Sequence, residues 1–163
     1  MWVLPADRRL RLIVSCDGAA RGNPGPAGIG VVITTPRGRV VDRIARGIGF
    51  ATNNVAEYTA VLEGLKRARE LGATDVVLRS DSKLLVEQLS GRFRVKNPTL
   101  QRLHSEVRAV AKGFAAISYQ HVPREQNREA DRMANRGVDE WLAGEGASWS
   151  APGKAPSLWE EPE

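Results

Sequence analysis

The sequence predicts an α/β fold: a mixed five-stranded sheet, an antiparallel meander followed by parallel strands, with helices on both faces. Three observations lead there. Apolar periodicity runs strand, strand, strand, helix, strand, helix, helix, strand, helix along the chain. The first three strands follow one another over short connections, as antiparallel neighbours do, whereas helices separate the later ones and favour parallel crossovers. The length, 163 residues, fits one domain with room for a real core.

In the first strand Leu10, Leu12, Val14 and Cys16 alternate with Arg11, Ile13, Ser15 and Asp17, so it is expected to end at Asp17-Gly18. "GIGVVITTPRGRVVDRIARGIG" reads as a hairpin turning at Pro36-Arg37-Gly38. From Asn54 to Leu71 the period becomes helical, with Tyr58, Val61, Leu62, Leu65 and Ala68 on one stripe and Gly72 as the stop. "TDVVLRSD" is a fourth strand ending on Asp81, and "SKLLVEQLSG" is a short helix closed by Gly91. "NPTLQRLHSEVRAVAKGF" is a longer helix, capped by Asn97 and opened by Pro98, with His104 on its surface. "AAISYQHV" makes the fifth strand, and "NREADRMANRGVDEWLAG" a last amphipathic helix with Trp141 in its stripe. The domain is expected over 10–143, after an N-terminal extension, 1–9. A flexible, acidic, Pro/Gly/Ser-rich tail follows over 144–163, where Trp149 and Trp159 have no assigned partner.

No apolar run approaches the roughly eighteen residues of a membrane span. "MWVLPADRR" has neither the basic n-region nor the apolar h-region of a signal peptide. A single cysteine, Cys16, excludes an internal disulfide and fits a reducing compartment. A cytoplasmic protein without membrane contact is therefore expected, with Cys16 a small core residue. Net charge is +5, but without the tail from Glu145 onward 23 basic residues stand against 15 acidic ones. That excess reads either as a solvated basic surface or as the footprint of a polyanion such as nucleic acid. "GIGVVI" lacks the third glycine of a dinucleotide fingerprint, and "GNPGPAG" lacks the Lys-Ser/Thr of a phosphate-binding loop.

Four carboxylates stand out, each with an ordinary explanation. Asp17 can open an Asp-Gly turn, and Glu57, three residues after Asn54, can complete a capping box. Asp81 can cap the helix that follows it, and Asp131 can sit on a solvated helix face. Jointly they ask for more. Two lie at strand carboxyl ends and two near helix starts, which a parallel crossover brings to the same rim of the sheet. Like charges gathered there repel unless cations occupy the cluster, and oxygen-only ligands select Mg²⁺ or Mn²⁺. Two such ions roughly 3.5–4 Å apart would clamp a phosphodiester.

The segments "DGAARGNPGPAGIG", "ATNNVAEYTAVLEGL", "LRSDSKLLVEQL" and "HVPREQNREADRMAN", in that order, resemble ribonuclease H of type 1 across about residues 10 to 142. The compact bacterial and archaeal branch, without a basic protrusion, is the nearest likeness. The resemblance implies a ribonuclease H-like fold and endonucleolytic hydrolysis of the RNA strand of RNA/DNA hybrids, leaving 5′-phosphate and 3′-hydroxyl ends. It implies two Mg²⁺ ions, with Mn²⁺ as a substitute, held by Asp17, Glu57, Asp81 and Asp131. Asp17 would bridge the ions, Glu57 and Asp81 would complete one site, and Asp131 the other. Gly18, Ala20 and Gly22 would let the backbone approach ribose 2′-hydroxyls. Asn23, Asn53 and Asn54 would meet sugar edges or bases, Thr52 a DNA-strand phosphate, and Ser82 stands beside Asp81 in the substrate site. A monomer with no protein partner is implied.

Two features depart from the family pattern. Many members carry a loop histidine before the last catalytic aspartate; here the connection is only "VPREQN", and His121 reads as a structural strand residue. Arg124 is the candidate for that electrostatic role, with Glu125 as the alternative. Longer relatives also insert a basic protrusion that grips the DNA strand, where this chain has only "GRFRVKN". Arg92, Phe93, Arg94 and Lys96 form a small substitute, or else cap a helix with Phe93 in the core. A hybrid-binding module without activity, a DNA-directed nuclease of the same fold, and cleavage of double-stranded RNA remain open alternatives.

Overall fold

The computed structural model describes residues 8–146; the expected extension up to residue 7 and the tail from 147, with Trp149 and Trp159, lie outside the described residues. The expected element order stands: β1 (Arg11–Ala20), β2 (Gly25–Thr34), β3 (Val40–Ala51), α1 (Asn53–Glu70), β4 (Asp75–Ser80), α2 (Lys83–Leu89), α3 (Pro98–Ala111), β5 (Ala116–His121) and α4 (Arg128–Ala143). One 3₁₀ turn, Arg124–Gln126, precedes α4. The five strands form one sheet in the order β3-β2-β1-β4-β5. β2 runs antiparallel to both β1 and β3, whereas β1, β4 and β5 are mutually parallel. It follows that β3 also points along β1, so four of the five strands bring their carboxyl ends to one rim.

Local chemistry explains the elements. The hairpin turns where expected, with Gly38 at φ 92° and its N–H donating to the Thr35 carbonyl at 2.9 Å. Asn97 Oδ1 accepts from the N–H groups of Thr99 and Leu100, and Pro98 opens α3. Gly72 and Gly91 take positive φ after α1 and α2, as helix-stopping glycines do. β2 is buried at almost every position because helices cover both faces of the sheet. On one face Leu12, Val14, Cys16, Ile29, Val31 and Ile33 pack with Tyr58, Val61 and Leu65 of α1 and with Leu103 and Val107 of α3. Cys16 is 1% exposed, as expected of a small core residue.

The other face belongs to α4, which packs over β1, β2 and β3. Here the strands carry glycine where side chains would otherwise stand. A Cβ at Gly30 would run into the Ala130 carbonyl, one at Gly28 into the backbone of Ala134 and Val138, and one at Gly47 into Trp141. Trp141 closes the layer edge-on against Phe50, ring centroids 6.1 Å apart. On the α1 face the same device recurs at Gly18, whose missing Cβ is replaced by the backbone of Ala56 and Glu57. The expectation that Gly18 is there to admit substrate is therefore incomplete: its first demand is the approach of α1.

Three boundaries differ from the sequence reading. β1 does not stop at Asp17 but continues to Ala20, and the bend falls at Arg21–Pro24 instead. α1 starts one residue earlier, capped by Thr52, whose Oγ1 accepts from the Val55 N–H at 3.2 Å. His104 is half-buried, not on the open surface, with Nε2 3.2 Å from the Gln88 carbonyl and its ring edge-on to Tyr58. Among the described residues no helix is long and apolar enough to cross a membrane.

Gly30→Ala is expected to lower unfolding free energy by about 2–3 kcal/mol, because α4 must lift off the sheet to admit one methyl. Denaturant titration measures it, and a loss below about 0.5 kcal/mol would show that the layer yields freely.

Candidate active site

Asp17 sits where β1 changes company. The parallel ladder with β4 ends at Ser15↔Arg79, while pairing with β2 runs on through Asp17↔Gly30 to Ala20↔Ala27. The expected Asp-Gly turn is therefore corrected: the Asp17 backbone is extended strand, and no turn requires the carboxylate. The two capping explanations fall in the same way. Thr52, not Asn54, caps α1, which leaves Glu57 beyond the capping position. Ser82, not Asp81, caps α2, its Oγ accepting from the Leu85 N–H at 3.2 Å.

Asp131 is carried by the first turns of α4, and two asparagines fix it. Asn127 precedes the helix but makes no side-chain cap; its Nδ2 donates instead to the Cys16 carbonyl at 2.9 Å, pinning α4 to β1 one residue from Asp17. It is 2% exposed, and its Oδ1 has no partner. Asn135 Nδ2 donates to the Asp131 carbonyl at 3.0 Å and reaches its Oδ1 at 3.4 Å. The sequence reading missed both. Asn135 was recoverable from its i,i+4 spacing to Asp131, whereas Asn127, directly before α4, has the type and place of an ordinary helix cap.

Asp17, Glu57, Asp81 and Asp131 line one open cavity of about 480 Å³, together with the Gly18–Ala20 backbone, Asn53, Asn135 and Arg124. Asp17 comes from the last residues of β1 and Asp81 directly follows β4, while Glu57 and Asp131 come from the first turns of α1 and α4, the helices that follow β3 and β5. Burial pushes the Asp17 carboxyl up to about 8, helped by a hydrogen bond with Asp131 and by the charges of Asp81, Asp131 and Glu57. Burial likewise pushes Glu57 up to about 7; a hydrogen bond from the Ser82 hydroxyl opposes the rise, and the Asp81 charge adds to it. Among the described residues no three acidic, His or Cys side chains stand already in ligand geometry. The carboxylates line the cavity wall, where burial and mutual repulsion both oppose full ionisation.

The reverse transcriptase-like family matches residues 15–137. Ribonuclease HI of Halobacterium salinarum is 41% identical over 138 residues, 85% of this chain and 69% of that protein. The chain belongs to the ribonuclease H family. A bifunctional protein of Mycobacterium tuberculosis is 47% identical over 131 residues, 80% of this chain, which spans only 36% of that protein's length. Among solved structures, LC11-RNase H1 in complex with an RNA/DNA hybrid aligns with a TM-score of 0.77 at 39% identity, covering 80% of this chain and 99% of that one.

In this member of the family the remaining expected residues divide. Asn23 Oδ1 accepts from the Asn53 N–H at 3.0 Å, so the bend holding Gly22, at φ 103°, is tied to the start of α1 beside the cavity. Asn54 is exposed in the first turn of α1 and does not line the cavity. His121 is the last residue of β5, paired with Ser80, which is the expected strand position, and it is exposed. Phe93 is 54% exposed; Val95, at 9%, takes the core position instead. Arg92 is exposed, and its Nε pairs with Glu87 at 2.6 Å. Phe93 and Arg94 border a separate cavity with Gln88 and His104, and Lys96 is exposed nearby.

The raised carboxyls set a sign for pH dependence. Between the ordinary value, 3.8, and about 8 the ion-free fold binds more protons at Asp17 than the unfolded chain, so this group's contribution to stability falls as pH rises. With chelator present, Asp17→Asn is expected to melt above wild type at pH 8, with the gap closing toward pH 4. Thermal unfolding across that range checks it, and a gap independent of pH would remove the assignment.

Proposed function

We propose that this ribonuclease H is an endonuclease that hydrolyses the RNA strand of RNA/DNA hybrids, leaving 5′-phosphate and 3′-hydroxyl ends. Family membership makes the chain a hydrolase of the nuclease class. One observation carries the reading further: Asp17, Glu57, Asp81 and Asp131 meet on one cavity of a chain whose body carries excess basic charge. The 39% identical LC11-RNase H1, solved with an RNA/DNA hybrid, supports the substrate.

The donor set fits divalent ions. Four carboxylates offer only hard oxygens, which suit Mg²⁺ or Mn²⁺, and four ionised acids around one cavity require counter-cations. In this reading Asp17, Glu57 and Asp81 hold one ion, and Asp17 with Asp131 the other. Bound there, two ions supply water activation and charge neutralisation at the phosphodiester. The protein's own groups do the rest. Ser82 orients Glu57, while Asn127 and Asn135 orient Asp131. Arg124, at the cavity edge, offers a guanidinium to the charge that develops on the phosphoryl oxygens. The backbone of Gly18, Ala20 and Gly22, with Asn23, Asn53 and Asn54, faces the minor groove, where 2′-hydroxyls mark the RNA strand. Thr52, Arg94 and Lys96 meet phosphates and Phe93 stacks on sugar or base. The protein acts as a monomer in the cytoplasm, on hybrids left by replication primers and transcription.

The test is a labelled hybrid incubated with Mg²⁺ or Mn²⁺ beside all-DNA and all-RNA duplexes. Cleavage confined to the RNA strand of the hybrid is expected; binding without fragments would make the chain a binding module, and cleavage of the all-DNA duplex a DNA nuclease. Asp81→Asn is expected to lower turnover by at least about 100-fold. Arg124→Ala should lower turnover about 10-fold while hybrid binding stays measurable, and wild-type turnover in that variant would strip Arg124 of its role.

A further inference from the structure

Beside the acidic cavity lies a second one of about 360 Å³, bordered by Arg124, Glu125, Arg128, Asp131 and Arg132. Arg124 and Asp131 border both, so the two cavities are neighbours. Arg128 and Arg132 stand one helical turn apart on a shared face of α4, and the 3₁₀ turn before the helix delivers Arg124 to the same place. All three are exposed.

These arginines lack the partners that others nearby have. Arg21 pairs with Asp139 of α4 at 2.7 Å, and Arg136 with Glu140 at 2.9 Å. Glu129, next to Arg128 in sequence, is taken by Arg43 of β3 at 2.7 Å. Among the described residues Arg124, Arg128 and Arg132 form no ion pair and no side-chain hydrogen bond. Of the two local carboxylates, Asp131 is committed to Asp17 and Asn135, which leaves Glu125 against three guanidinium groups. Like charges one turn apart repel, so such a group calls for an anion from outside. Guanidinium forks match the paired oxygens of a phosphate.

We propose that this basic cavity is a second phosphate subsite, which takes an RNA-strand phosphate neighbouring the one held among the carboxylates. The assignment rests on the hybrid-cleaving reading above and adds a place for the strand to lie. A strand whose scissile phosphate enters the acidic cavity carries its next phosphates at short, fixed intervals. The cavity that shares Arg124 and Asp131 is where one of them falls. Arg128 and Arg132 then hold the cleaved strand in line from α4, the helix that also carries Asp131.

The experiment pairs a double variant, Arg128→Ala with Arg132→Ala, with hybrids carrying a neutral methylphosphonate at one RNA position at a time on either side of the cut. The double variant is expected to raise KM about 10-fold, to lose most of its efficiency through KM and not kcat, and to flatten the salt dependence of binding by about one phosphate contact. In wild type, methylphosphonate at one position within two nucleotides of the cut should weaken binding to a similar degree. In the double variant the same replacement should do nothing further. Full additivity at every position, or a wild-type KM and salt slope in the variant, overturns the subsite. If wild type itself leaves the unmodified hybrid uncut with Mg²⁺ or Mn²⁺, the hybrid-cleaving reading fails instead.

Discussion

The site depends on how closely two helix backbones approach the sheet. Side chains normally hold a helix off the sheet beneath it, so a strand position without a Cβ lets the helix backbone come closer. At Gly18, Gly28 and Gly30 there are no such side chains, and peptide planes of α1 and α4 occupy the space where Cβ atoms would be. The helices therefore settle onto the strands at the one end where carboxylates are needed. Glu57 comes down with α1 and Asp131 with α4, onto an Asp17 that stays in the strand between them.

This closeness works against electrostatics. Bringing acids together in a half-buried cavity raises the free energy of their ionised forms, and the upward pressure on Asp17 and Glu57 measures that opposition. Neutral contacts hold the arrangement: the Asn127 bond to the Cys16 carbonyl, the Thr52 and Ser82 caps, and the apolar layer under α1. The acids are carried into place by packing elsewhere. Their mutual repulsion is then available to be relieved by whatever positive charge enters.

Much of this was legible in the sequence, because periodicity reports which face of an element is buried. The strand and helix order, the hairpin turn and the four acids at one rim all follow from alternation, helical stripes and the geometry of parallel crossovers. What was not legible depended on a choice between neighbours. Thr52 and Asn54, like Ser82 and Asp81, are both competent caps, and only the path of the preceding strand decides between them. The length of β1 was hidden because β2 keeps pairing with it after β4 has stopped, and nothing within β1 announces that change. Phe93 and Val95 are both apolar in a short loop, and the smaller one fits the available slot.

The four acids are also spread along the chain, at positions 17, 57, 81 and 131. During synthesis the first three emerge well before the last, and α4 can dock only onto a sheet whose β1, β2 and β3 are already in register. A nascent chain with its final helix undocked carries an incomplete ring of acids and lacks the Asn127 pin. The set of four acids is therefore complete at the rim only when the last helix closes over the sheet.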